Sequence, residues 1–180
     1  MPTIKTKRSD ILRQFEILDM IKKAEGLDLQ WLGALIALLW TFGKRITENL
    51  QLQKENLWIQ DNHLFIRFPF VLKKKVREPY IKYINLKHPA VPYIIKYINT
   101  IKEGSLFPKM TRQLALYYLK KVNSQSYLHL FRHSLATEMS ERSYTVQELM
   151  SWFDWTNAEM AMRYVQRGPA LIKRAASRTW

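Results

Sequence analysis

From Leu29 to Phe42 the chain is apolar nearly all round. A helix with that pattern is not a surface element; it must be enclosed by others. Its longest apolar run, Leu32 to Phe42, is too short to span a bilayer. A chain of 180 residues fits one ordinary domain, large enough to enclose such a helix without a disulfide or metal staple. With 47% hydrophobic and 24% charged residues it reads as globular and not disordered. There is no cysteine, which excludes disulfides, thiolate catalysis and cysteine-based zinc sites but leaves the redox compartment open. Met1 to Asp10 is polar and basic and lacks the apolar core of a signal peptide. These features predict a soluble intracellular protein without a membrane segment.

Around the buried helix the hydrophobic period changes along the chain. Asp10 is placed to cap a helix through Ile11, Leu12, Phe15, Leu18 and Ile21, ended by Gly26. Gly43 breaks the helix beginning at Leu29, and Arg45 follows at once. Leu57–Ile59, the pair Asp61–Asn62 and Leu64–Phe68 read as two strands joined by a turn, with a third strand at Tyr80–Ile84. Helical stretches follow near Val91–Ile101, Thr111–Val122, Leu128–Met139, Val146–Phe153 and Asn157–Gln166. Asn157 is an N-cap and Gly168–Pro169 a stop. The expected fold is mainly α with a small antiparallel β-sheet. Residues 1–9 read as a flexible lead or linker and 10–168 as the domain. The tail, 169–180, is either a short helix or loose.

The net charge is +14 and the pI near 10.0, which points to nucleic acid or an anionic membrane surface. The excess is regional. Residues 71–121 carry twelve Lys/Arg against two acids, whereas 122–166 carry three against five. A bare lysine run more often serves only as a solvated face.

A few polar residues are awkwardly placed. Arg45 directly follows the buried helix. His129 and Arg132 lie three apart in an apolar helix start, so both fall on one face. Trp155 precedes the last helical stretch, Tyr164 sits on it, and Lys73, Lys74 and Lys75 form a cluster between the second and third strands. Singly each has a dull explanation: a surface charge, a structural histidine, a core indole, one of nine tyrosines.

Together they resemble the tyrosine recombinases, the phage integrase family. That family carries an Arg, a Lys on a β-turn, His-x-x-Arg, a His or Trp, and a nucleophilic Tyr, in that order. The matching pieces are Thr41-Phe42-Gly43-Lys44-Arg45-Ile46-Thr47-Glu48, the lysine turn, His129-Leu130-Phe131-Arg132-His133, Trp155 and Tyr164. The nine-residue step from Trp155 to Tyr164 and the acid three after Arg45 also match, as does Leu106-Phe107-Pro108. The resemblance spans about residues 10 to 167. Where the family often has Leu-Gly-His, this chain has Phe153-Asp154-Trp155. Of the three lysines, Lys73 fits best by its distance to Arg77. The family's N-terminal DNA-clamping domain is not among these residues, so the chain reads as an isolated catalytic domain or a naturally short relative.

The resemblance implies a DNA strand transferase. Arg45 and Arg132 would clamp the non-bridging oxygens of the scissile phosphate, since a guanidinium fork binds two oxygens and stays charged. His129 would donate to the phosphate or help move the tyrosine proton, and Trp155 can only donate. Tyr164 would be the nucleophile and Lys73 the general acid for the 5′-hydroxyl. Glu48 and His133 would support, and Lys74, Lys75 and Arg77 would lie along DNA phosphates. No metal or other cofactor is expected, because the arginines take the electrostatic role. The expected partner is double-stranded DNA, with self-association into a tetramer in which the tail could exchange between subunits. The setting is cytoplasmic and DNA-associated, or that of a virus or mobile element. Competing readings are a type IB topoisomerase-like nicking and relaxing enzyme, a catalytically dead DNA-binding relative, and a basic helical protein of RNA or membrane surfaces.

Overall fold

The computed structural model describes residues 11–69 and 80–165. The predicted lead at 1–9, the cap Asp10, the stop at Gly168–Pro169 and the tail at 169–180 lie outside the described residues. So do Lys73, Lys74, Lys75 and Arg77.

The architecture is mostly helical with one three-stranded antiparallel sheet, as the hydrophobic periods predict. Helix α2 (Gln30–Phe42) forms its centre: every residue from Leu32 to Phe42 is buried. It packs against α1 (Gln14–Gly26), α4 (Val91–Ile98) and α6 (Leu130–Glu141). Helix α1 starts later than the sequence pattern suggests. Ile11 and Leu12 precede it, and the Leu12 N–H donates to Ser134 Oγ at 2.8 Å. The Glu16 carboxylate accepts from the Arg13 N–H at 2.7 Å, supplying the reciprocal half of a helix start. Among the described residues no helix is long and apolar enough to cross a membrane.

Strands β1 (Leu57–Gln60), β2 (His63–Phe68) and β3 (Tyr80–Asn85) pair in that order. Asp61 and Asn62 both take positive φ, 47° and 59°, the geometry of a two-residue hairpin turn matched to strand twist. Leu64, Ile66 and Phe68 face the core. Lys82 pairs with Ile66 and occupies the same buried face. Leu106 and Phe107 are also buried.

Helix α5 spans Arg112–Val122, capped by Thr111 Oγ1 accepting from the Leu114 N–H. A short helix α3 (Ile46–Asn49) follows α2 directly; four residues were too few to show a period in the sequence. Helix α7 (Val146–Phe153) begins with a Thr145–Glu148 capping box and ends at Asp154 in left-handed geometry.

The last helix among the described residues, α8 (Ala158–Met162), is shorter than the 157–166 pattern predicts. Tyr164 therefore lies in the turn after it and not on it. The cause is local: the Tyr164 N–H bonds back three residues to Ala161, tightening the turn. Its own carbonyl accepts from Ser140 Oγ of α6.

Candidate active site

Gly43 ends α2 with φ +60°, and a Cβ there would collide with the Phe153 ring. Glycine thus gives both the left-handed turn and the close approach of α7. Two residues on, Arg45 sits exposed at the N-cap of α3. Its backbone N–H donates to Glu48 Oε2 at 2.8 Å, while the side chain of Asn49 donates to the Arg45 carbonyl at 3.0 Å. The loop bearing Arg45 is therefore held through its backbone, leaving the guanidinium exposed.

Arg132, in the first turn of α6, is only 4% exposed. Its Nη1 donates to the Gly43 carbonyl and its Nη2 to the Phe153 carbonyl, the latter at 2.7 Å. The group lies over the rings of Phe153 and Trp155, 4.9 and 5.5 Å from their centroids. These carbonyls are at the C-terminal ends of α2 and α7, where the backbone lacks helical partners and the dipole favours a cation. Burial, then the neighbouring Arg45 charge, lowers the Arg132 pKa to about 10; it remains a cation at neutral pH. A guanidinium has five N–H donors. Two are taken by backbone, and the other three have no hydrogen-bond partner among the described residues.

His129 is the N-cap residue of α6 rather than part of its first turn, and it is exposed. Its ring meets that of His133 edge-on at 4.7 Å. Desolvation, then the nearby His133, Arg132 and Arg45, lowers its pKa to about 4. His133 Nδ1 is 2.5 Å from the Tyr164 hydroxyl. Burial lowers the His133 pKa, with Arg132 adding to the effect, and burial raises that of Tyr164. Both shifts favour the phenol as donor and the imidazole as acceptor. Trp155 stacks on Tyr164 at 5.4 Å and 9° and on Phe153 at 4.7 Å.

Arg132, His129, His133, Trp155 and Tyr164 thus converge, with Arg45 near enough to perturb two of them. Glu48 is placed beneath, against the Arg45 backbone. The expected Lys73, with Lys74, Lys75 and Arg77, belongs to the undescribed β2–β3 connection.

Sequence reasoning missed a second, buried layer. Lys44, 1% exposed, donates to Asp154 Oδ2, lies 3.9 Å from Glu48 Oε1 and sits 3.6 Å above the Tyr80 ring. Lys82 Nζ is 3.8 Å from the same Asp154 oxygen and has no hydrogen-bond partner among the described residues. Burial, then repulsion from Lys44, lowers the Lys82 pKa to about 7. One signal was visible: Lys82 stands at a core-facing position of a strand whose neighbours are apolar.

The same fold occurs in the catalytic domains of tyrosine recombinases. The XerH site-specific recombinase bound to difH substrate in a pre-cleavage complex aligns with a TM-score of 0.72 at 15% identity, over 98% of this chain and 56% of that one. The XerA recombinase gives 0.69 at 12%, over 98% and 65%. The catalytic domain of bacteriophage HP1 integrase gives 0.63 at 16%, over 94% of each. The chain therefore spans less than two thirds of the XerH and XerA chains. No curated protein matches it in sequence. The model of the phage integrase family matches residues 10–170, and the chain belongs to that family.

Proposed function

We propose that this chain is the catalytic domain of a site-specific DNA recombinase or integrase that breaks and rejoins DNA through Tyr164. The observation that carries this reading is the Tyr164 hydroxyl, hydrogen-bonded to His133 and stacked on the indole that covers Arg132. A phenol is a poor nucleophile at its ordinary pKa near ~10 and needs a base or a stabilising charge. Here an imidazole can take the proton and a guanidinium lies close by.

In this reading the scissile phosphate binds between Arg45 and the free donors of Arg132, with His129 and the Trp155 N–H donating to its oxygens. The Tyr164 proton passes to His133 Nδ1 as the phenolic oxygen attacks phosphorus. The bond from phosphorus to the 5′-oxygen breaks, and that oxygen takes a proton from Lys73. The product is a 3′-phosphotyrosine bond and a free 5′-hydroxyl. One phosphoester replaces another, so the reverse step reseals the strand without an energy source. The developing negative charge is met by fixed cations, the term that usually dominates such catalysis. Lys74, Lys75 and Arg77 would follow the flanking phosphates. Residues 10–168 are the catalytic domain in this reading, with self-association into a tetramer on double-stranded DNA and the tail exchanged between subunits.

The test is a pool of nicked duplexes of randomised sequence, from which covalent protein–DNA adducts are recovered after denaturation. Wild type should yield an adduct that survives SDS, and it should persist in EDTA. Tyr164→Phe should yield none while still retarding DNA in a gel. An adduct from that variant would overturn the assignment of the nucleophile. Relaxation of supercoiled plasmid with no joining of two sites would instead favour the topoisomerase-like reading.

A further inference from the structure

Asp154 stands at φ 53° after α7. A side chain in left-handed geometry is disfavoured, though aspartate tolerates it better than most. Lys44 is a fully buried ammonium, its pKa lowered by that burial. Two locally unfavourable residues thus meet in one ion pair across 110 positions of sequence.

The location of the pair gives it a purpose. Lys44 follows Gly43, and Asp154 follows Phe153. Gly43 and Phe153 supply the two carbonyls that hold the Arg132 guanidinium. The same two chain segments are therefore tied twice, one residue apart. One tie runs from carbonyl to guanidinium to carbonyl, and the other from ammonium to carboxylate. The spacing of the carbonyls fixes the plane of the guanidinium, and the plane decides where its three remaining N–H groups point. Tyr80 floors the ammonium from β3, and Lys82 reaches the same carboxylate oxygen at 3.8 Å. The Asp154 side chain is 31% exposed and that of Lys44 not at all.

We propose that the Lys44–Asp154 ion pair is a positioning element: it sets the separation of the Gly43 and Phe153 carbonyls and thereby aims Arg132 at the scissile phosphate. Neither residue touches the phosphate. The catalytic consequence rests on the proposed role of Arg132, whereas the aim of the guanidinium can be read without DNA.

Asp154→Gly removes the carboxylate and supplies the residue best suited to the left-handed turn. Asp154→Asn keeps the side-chain shape and removes only the charge, and stands in if the glycine variant folds poorly. Lys44→Met removes the other partner. In each, the ¹H–¹⁵N guanidinium signals of Arg132 are followed in the DNA-free protein, assigned by their loss in Arg132→Lys. Wild type should show separate, slowly exchanging Nη signals; both Asp154 variants should show them averaged and exchanging faster. On a nicked duplex recovered as above, the single-turnover rate at saturating DNA should fall about 10- to 100-fold. The half-saturating DNA concentration should change less than about threefold, because the loss lies in orientation and not in general affinity. Unchanged Arg132 signals in the Asp154 variants overturn the proposal, as does a rate equal to wild type. If wild type itself forms no adduct, the reading of the site as a strand transferase falls, and the Arg132 signals alone decide whether the clamp exists.

Discussion

Tyr164 and His133 are hydrogen-bonded, and the directions of their shifts predict how the proposed reaction responds to pH. His133 titrates below the ordinary histidine value of 6.5, through burial and then Arg132. Protonated, it cannot accept the phenolic proton. Adduct formation should therefore rise with pH through an inflection below 6.5 and level off above it. His133→Gln should lose that acid limb along with most of the rate, which a pH–rate profile of the trapped adduct would measure. Gly43 makes a second prediction. Gly43→Ala introduces a side chain at φ +60° and drives a Cβ into Phe153. It should destabilise the fold by about 2 kcal/mol or more in urea denaturation and displace the carbonyl that Arg132 uses.

The helix starts show how local chemistry sets the elements. In α7 the Glu148 N–H donates to Thr145 Oγ1 at 3.2 Å, and the Thr145 N–H donates to the Glu148 carboxylate at 2.6 Å. Thr145→Ala should cost about 1 kcal/mol by chemical denaturation. His88, before α4, lies 4.8 Å from the Trp40 ring, and its Nδ1 accepts from the Ala90 N–H at 3.3 Å. Burial lowers its pKa to about 4 from 6.5. The folded state thus favours the neutral ring. The associated stability is present above pH 6.5 and is lost as the pH falls to about 4; His129 acts in the same direction. His88→Asn keeps an acceptor for the Ala90 amide and should flatten part of that acid slope in thermal melts at stepped pH. Most elements were legible because their periods are long: α2, α5 and α7 match the hydrophobic pattern to within a residue or so. The ends were less legible. The chain entering α1 is held by Ser134, far away in sequence, and α8 closes early in a tight turn from Tyr164 back to Ala161 that leaves no mark in the hydrophobic period. Type and spacing also singled out His129, His133, Arg132, Trp155 and Tyr164, which the fold brings together. The buried Lys44–Asp154 pair was not legible, because only the tertiary fold brings α2 and the end of α7 together.

At the scale of the whole molecule the +14 charge sets how the proposed DNA binding should behave. Each phosphate contact releases counterions, so the slope of log affinity against log salt should be about −0.9 per contact. With about six contacts, affinity should drop roughly a thousandfold between about 50 and 200 mM salt, and it should depend little on sequence away from the cleavage point. Gel retardation across a salt series would measure the slope; a flat response would remove the basic surface from the account. The seat of Arg132 has a wider consequence. Many enzymes become sturdier when a strained functional group is deleted, but this arginine also plugs the bare ends of two helices. Arg132→Ala would strand both carbonyls and should lower stability by about 2–4 kcal/mol. A descendant of this chain could not shed that residue cheaply, so loss of the proposed strand transfer would here bring loss of the fold with it.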